Sequence, residues 1–288
     1  MKQLLILSGK GGTGKTTIAG AFINLAEAQV FADCDVDAPN LHLILSQTAQ
    51  ARRSDYYGLA KAEIDANSCT ECDLCRENCR FTAISGNGMY TVDPFACEGC
   101  GVCAKLCPAA AITLKPAVVG ELMLYVDDTI FSTAELKMGS GTSGKLVTEV
   151  KKQMISAAVP TDLAIIDGSP GIGCPVIASL SGVDMVLIVA EPSLSGISDM
   201  ERIIQAAAKF QAKMAVCINK FDINLKNTAK IEAFCQNLNL PFAGKVPFDP
   251  DAVKAINDGL SIVQMNCRAG EAVKEVYGRT LKILFDDS

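Results

Sequence analysis

Leu4-Leu5-Ile6-Leu7-Ser8-Gly9-Lys10-Gly11-Gly12-Thr13-Gly14-Lys15-Thr16-Thr17 decides the fold of this chain. Residues 2–8 read as a buried strand, and residues 15–28 carry a helical pattern. Between them, Gly9 to Thr16 fits GxxxxGK[ST]. In such a loop the glycines let backbone N–H groups close around phosphate oxygens. The lysine neutralises the β- and γ-phosphates, and the hydroxyl binds Mg²⁺. Lys15 and Thr16 take those roles. Gly9, Lys10, Gly11, Gly12, Thr13, Gly14 and Thr17 complete the nucleotide-binding loop, and the helix start adds partial positive charge.

Further along, Val30 to Asp33, Leu163 to Asp167, Met185 to Ala190 and Met214 to Asn219 are strand-length apolar runs ending in polar residues. Helical patterns lie between them, at 199–210 and 231–238. Strands alternating with helices predict an α/β fold, a doubly wound parallel sheet covered on both faces. Ligands of such sheets sit at the carboxyl ends of the strands. Those ends carry Asp33-Cys34-Asp35-Val36-Asp37, Asp167-Gly168-Ser169-Pro170-Gly171 and Asn219-Lys220-Phe221-Asp222. Asp167 suits Mg²⁺, which prefers hard oxygen ligands. A second GxxxxGK, Gly139 to Lys145, is followed by Leu146, which cannot bind Mg²⁺, and no apolar strand is read ahead of it. It is expected to be a loop leading into a helix over 146–154.

Eight of the 13 cysteines fall into two copies of one spacing. Cys69, Cys72, Cys75 and Cys79 form the first. Cys97, Cys100, Cys103 and Cys107 form the second, followed by Pro108 where the first copy has Arg80. The flanks repeat too: Ile64-Asp65 matches Val92-Asp93, and Ala83-Ile84 matches Ala111-Ile112. Soft thiolates at this spacing suit iron–sulfur clusters. The block interrupts the α/β pattern, so residues 58–115 are expected to be an inserted domain within an ATPase domain of residues 1–57 and 116–288. Of the other cysteines, Cys174 and Cys217 are expected to be buried apolar groups. His42, the single histidine, is expected to be structural.

The lysine at the start of KGGTGKT resembles the deviant Walker A loop of the MinD/ParA/Mrp superfamily, relatives of the nitrogenase iron protein, and the resemblance spans nearly the whole chain. It implies ATP hydrolysis in a nucleotide-dependent homodimer, with Lys10 reaching across the interface to stabilise charge on the transferring phosphoryl group. It also implies that Asp35 orients the attacking water, that Asp33 and Asp35 lie near Mg²⁺ with Thr16 and Asp167 (Asp37 competes for either role in this Asp-x-Asp-x-Asp run), and that Asn219 and Lys220 bind the nucleotide near its base. Asp222 keeps GTP as an alternative. The cysteine block resembles a bacterial two-cluster ferredoxin. That likeness implies two [4Fe–4S] clusters, one held by Cys69, Cys72, Cys75 and Cys107 and the other by Cys79, Cys97, Cys100 and Cys103.

The chain has 288 residues, a net charge of −6 and 49% apolar residues, enough for a large core. No signal peptide or membrane-length apolar run is visible, so a cytoplasmic protein is expected, in which cysteines serve as ligands rather than disulfides. The acidic balance gives no nucleic-acid signal. A terminal helical stripe, Val273, Val276, Tyr277, Leu281 and Leu284, is flanked by Glu271, Glu275, Asp286 and Asp287, which disfavours membrane binding and predicts packing onto the ATPase. The function expected is ATP hydrolysis coupled to electron transfer or metallocluster action on a redox protein partner. The alternatives are a positioning or assembly switch of the MinD/ParA type with redox-sensing or structural clusters, and an iron–sulfur or metallocluster maturation factor.

Overall fold

The structure is a computed structural model that describes residues 1–45, 49–87 and 89–286; Asp287 lies outside them. The chain forms two compact units. The first comprises Met1–Arg53, Leu122–Glu135 and the chain from Ser143 on; the second comprises Ser54–Glu121 and Leu136–Thr142. In chain order the strands are β1 (Lys2–Leu7), β2 (Val30–Asp33), β3 (Arg52–Tyr57), β4 (Lys61–Ile64), β5 (Ile84–Ser85), β6 (Thr91–Val92), β7 (Ile112–Lys115), β8 (Val118–Val126), β9 (Ile130–Leu136), β10 (Leu163–Asp167), β11 (Met185–Ala190), β12 (Lys213–Asn219) and β13 (Phe242–Val246). The α-helices are α1 (Lys15–Leu25), α2 (Leu74–Glu77), α3 (Val102–Leu106), α4 (Ser143–Ala157), α5 (Cys174–Leu180), α6 (Leu194–Ala207), α7 (Leu225–Asn237), α8 (Asp251–Asn257) and α9 (Arg268–Phe285).

In the first unit the strand order runs β13-β12-β11-β1-β10-β2-β9-β8, and every pair from β13 to β9 is parallel. β1 is central, with β10 and β11 on its two sides. The connections therefore depart in opposite directions there, and the crevice this opens at the strands' carboxyl ends is where the glycine-rich loop sits. Side chains alternate across β1. Leu4 and Ile6 join Phe22 of α1 and Val273 and Val276 of α9 in one core layer. Leu5 and Leu7, equally buried, face the other side, where α4 and α5 pack together. Each fully buried aliphatic side chain contributes about 1.5–3 kcal/mol, so the sheet is a rigid platform for its loops. α9 spends its apolar stripe in this core: Val273, Val276 and Leu284 are buried, and Tyr277 meets Phe22 edge-on at 5.1 Å. Among the described residues no helix is long and apolar enough to cross a membrane.

Two expectations need correction. An apolar strand does precede the second GxxxxGK: β9 ends at Leu136, and α4 starts at Ser143 inside that motif. β9 hides in the sequence because its buried face includes Ser132, whose hydroxyl donates to the Val150 carbonyl (2.9 Å). Cys174, expected to be buried, is exposed at the first turn of α5; Cys217 is buried. His42 is exposed in a short 3₁₀ turn, Leu41–Leu43.

The second unit repeats itself every 28 residues. β4 pairs antiparallel with β7 (Ile64 opposite Ile112), and β5 with β6 (Ile84 opposite Val92). Asp65 N–H donates to the Ala111 carbonyl and Asp93 N–H to the Ala83 carbonyl, both at 2.8 Å. Left-handed backbone recurs at equivalent places: Glu71 and Gly99, Asp73 and Gly101, Thr82 and Ala110. The last pair shows that Arg80 and Pro108 are followed by the same turn. The unit's buried core holds Ala62, Cys75, Ala83, Ile84, Cys97 and Ile112.

Candidate functional site

The loop after β1 wraps a cavity of about 660 Å³ that also meets Asp35, Ser169, Asn219, Lys220 and Phe248. That volume suits a nucleotide-sized ligand. Two glycines are required by the geometry. A Cβ on Gly9 would stand 2.1 Å from the Asp199 Cβ, and one on Gly14 would stand 2.2 Å from Asn219 Nδ2. Gly14 also has φ of 88°. Gly14→Ala therefore adds about 1–2 kcal/mol of left-handed strain to the clash with Asn219. The expected outcome is loss of ATP binding, read by calorimetry, in a chain that still folds by circular dichroism.

At the phosphate end Lys15 is 5% exposed, and its Nζ lies 2.5 Å from Oδ1 of the fully buried Asp167. Thr16 Oγ1 donates to the other carboxylate oxygen at 2.7 Å. The three side chains that the sequence assigned to phosphate and Mg²⁺ are thus brought together. Asp33 is buried beside them and accepts N–H bonds from Asp35 (2.9 Å), Asn40 and Leu41 (both 3.0 Å). It therefore shapes the backbone after β2, a role its residue type alone did not reveal. Burial, reinforced by the facing Asp167 carboxylate, pushes Asp33 up to about 7 against Lys15 and the N–H donors. Burial likewise pushes the half-buried Asp35 up to about 6.

Both carboxyls start from an ordinary value of 3.8, so the folded chain binds more protons than the unfolded chain from there up to about 7. Stability accordingly falls as pH rises across that window. The nucleotide-free protein is expected to melt higher at pH 6 than at pH 8 by circular dichroism. Asp33→Asn should flatten most of that difference.

Lys10 turns onto its own chain. Its Nζ lies 2.9 Å from Glu191 Oε2 and donates to Ser193 Oγ at 3.2 Å. Glu191, at the end of β11, also lies 3.7 Å from Lys220 Nζ, which donates to the Gly12 carbonyl (2.9 Å). Neither the Glu191 clasp nor its serine neighbours was read from the sequence; the only signal was an acid placed just after a strand end. Asn219 donates from Nδ2 to the Thr13 carbonyl (2.6 Å) and accepts the Lys220 N–H at Oδ1 (3.0 Å), so it staples β12 to the phosphate loop. Asp222 accepts the Phe248 N–H at 2.7 Å and ties the 247–249 loop to the same strand end. Asp35 and Asp37 both line the cavity, and Asp35 feels the charges of Lys15 and Asp167.

In the second unit two cavities are ringed by the repeated cysteines. One is lined by Cys69, Cys72, Cys75 and Cys107, with Asp73 and Tyr90. The other is lined by Cys79, Cys97, Cys100 and Cys103, with Ala62 and Glu98. In each, three cysteines come from one run and the fourth from the other. Cys79 and Cys107 each accept an N–H four residues ahead, from Ala83 (3.4 Å) and Ala111 (3.3 Å). Among the described residues no three or more His, Cys, Asp or Glu side chains close on one point as ligands of a single ion would; the thiols ring a space instead.

Residues 4–262 match the family described as "CobQ/CobB/MinD/ParA nucleotide binding domain". The uncharacterized protein MJ0578 of Methanocaldococcus jannaschii is 32% identical over 282 residues, covering 96% of this chain and 95% of that protein. The iron-sulfur cluster carrier protein of the same organism is 20% identical over 297 residues, covering 97% and 84%. The cell division ATPase MinD of Pyrococcus furiosus shares the fold, with a TM-score of 0.59 at 17% identity over 98% of this chain and 99% of that one.

Proposed function

Since this chain belongs to the CobQ/CobB/MinD/ParA nucleotide-binding family and is a P-loop ATPase, we propose that it is a nucleotide-driven protein switch of the MinD/ParA type whose cysteine-rich unit, an inserted two-cluster ferredoxin-like domain, holds two [4Fe–4S] clusters. The observation that carries the reading is the pair of cavities, each ringed by four cysteines with the fourth exchanged between runs. That is the ligand exchange of two-cluster ferredoxins. The donor set is all thiol, which suits iron–sulfur chemistry better than a hard cation.

In the ATPase cycle Lys15 would release Asp167 and turn to the β- and γ-phosphates. Thr16 and Asp167 would hold Mg²⁺, with Asp33 supporting the loop behind them. Bound Mg²⁺ supplies charge neutralisation across the phosphates. Asp35 would orient the attacking water. Lys10 would leave Glu191 and reach the phosphates of a second copy, so that hydrolysis needs the dimer. The clusters, when bound, supply one-electron redox chemistry. Asn219, Lys220 and the 247–249 loop would form the base side of an ATP site.

A second reading couples hydrolysis to electron transfer toward a redox protein partner. It is favoured by the presence of two cysteine-lined cavities in one small unit, where a single cluster would suffice for sensing. Anaerobic purification tests the shared part. About eight iron atoms and eight sulfides per chain, with absorbance near ~390–420 nm, are expected, together with a mass doubling on adding a nonhydrolysable ATP analogue. Iron-free protein sinks the cluster reading, and a permanent monomer sinks the switch. ATP turnover with the native partner that responds to cluster oxidation state would favour the second reading.

A further inference from the structure

The 28-residue repeat makes the two cysteine cavities near-copies, so the positions where the copies differ single out what distinguishes them. Beside the second cavity, the ammonium of Lys61 donates to the carbonyl oxygen of Cys97, the first ligand of its run. The repeat equivalent of Lys61 is Met89, an exposed, uncharged side chain. Beside the first cavity stand Asp73 and Tyr90, whose repeat equivalents are Gly101 and Ala62. Asp73 is held by Arg76, whose Nε donates to Oδ1 at 2.7 Å while Nη2 donates to Oδ2. That pair is neutral in sum. The other charges flanking the ligand runs are exposed, among them Arg80 beside Cys79, Lys105 between Cys103 and Cys107, Glu98 on the rim of the second cavity, and Lys115, which pairs at 3.8 Å with Glu63. Solvent and salt screen such groups more than they screen Lys61, whose bond to the ligand run is partly buried.

We propose that Lys61 sets the two clusters apart in potential, making the cluster of Cys79, Cys97, Cys100 and Cys103 the more easily reduced. The inference rests on the cluster reading above. A fixed cation beside a cluster stabilises the extra negative charge that reduction brings, and net local charge is one of the levers on cluster potential. With both clusters bound, the exchange would be of one electron: the cluster held by Cys69, Cys72, Cys75 and Cys107 would be oxidised by one electron and the cluster held by Cys79, Cys97, Cys100 and Cys103 reduced by one. Electrons entering the unit would then come to rest at the second site. Lys61 acts as a positioning residue as well, since its bond to the Cys97 carbonyl fixes the start of the ligand run.

The test is a potentiometric titration of the full-length, cluster-loaded protein with dithionite as reductant, followed by electron paramagnetic resonance. Two one-electron waves are expected. Lys61→Met should move the upper wave downward by about tenfold in the reduced-to-oxidised ratio at fixed potential, which is about 59 mV, and leave the lower wave in place. Lys61→Arg keeps the charge and should keep the upper wave near its original position. Movement of the lower wave, equal movement of both, or no movement in protein with full iron content overturns the inference and leaves the cluster reading standing. Lys61→Met protein that loses half its iron, with Lys61→Arg behaving alike, would make the role purely structural and also overturn it. Parent protein without iron fails the cluster reading itself.

Discussion

Lys10→Ala is expected to lower kcat for ATP hydrolysis on the order of 10³-fold, the low end of what a transition-state cation supplied in trans contributes. ATP affinity should change little. The reason lies in where Lys10 rests: its ammonium is 2.9 Å from Glu191 of its own chain, away from the Lys15–Asp167 pair that marks the phosphate end. Losing it breaks the clasp to Glu191 and leaves the Lys15–Asp167 pair in place. If its catalytic position is in a second copy, the loss appears in kcat alone. Titration calorimetry with a nonhydrolysable analogue and a phosphate-release assay separate the two. Weakened binding with unchanged kcat would place Lys10 in its own chain's site instead. Glu191→Gln removes the charge that clasps Lys10 and should raise turnover at low protein concentration, where dimers are scarce.

If the second unit holds the proposed clusters, stripping their iron is expected to unfold that unit and leave the first intact. Its buried core is a handful of small and medium side chains, and two of these, Cys75 and Cys97, are cluster candidates themselves. So small a core offsets little of the chain entropy of its loops, and on the cluster reading ligation would supply the balance, as in other small metal domains. Limited trypsin digestion after chelation under air should cut between Lys61 and Lys115, while ATP binding and a helical circular dichroism signal survive. Unchanged protease resistance would mean that the unit stands without its clusters.

The sheet's centre was legible because β1, β10 and β11 are buried on both faces and read as continuous apolar runs. The edges were not. β13 contains Gly244 at φ 139° and meets β12 across a register shift at Val216/Cys217. β8 and β9 form a hairpin over a three-residue connection, and β9 carries polar residues in its buried face. Such strands have neither clean alternation nor an unbroken apolar run. In the site, the phosphate-loop lysine, threonine and Asp167 were readable from spacing, because backbone geometry fixes their order along the chain. Glu191 was not, since its clasp joins distant strand ends, and the backbone-bonding role of Asp33 was not, since it depends on how the following eight residues turn back onto the carboxylate. The cysteine repeat was readable for the opposite reason: its symmetry is local, and the structure echoes it residue by residue in Glu71/Gly99 and Thr82/Ala110.

The bond between Lys15 and Asp167 has a consequence for what can open the resting site. Each partner is the other's counterion in a place nearly closed to water, and a buried pair broken on one side leaves an uncompensated charge. A bare divalent ion would satisfy Asp167 and strand the ammonium; a nucleotide stripped of its metal would satisfy the ammonium and strand the carboxylate. Only the two arriving as one complex settle both accounts, so the locked pair behaves as a two-key lock that ignores either key presented alone.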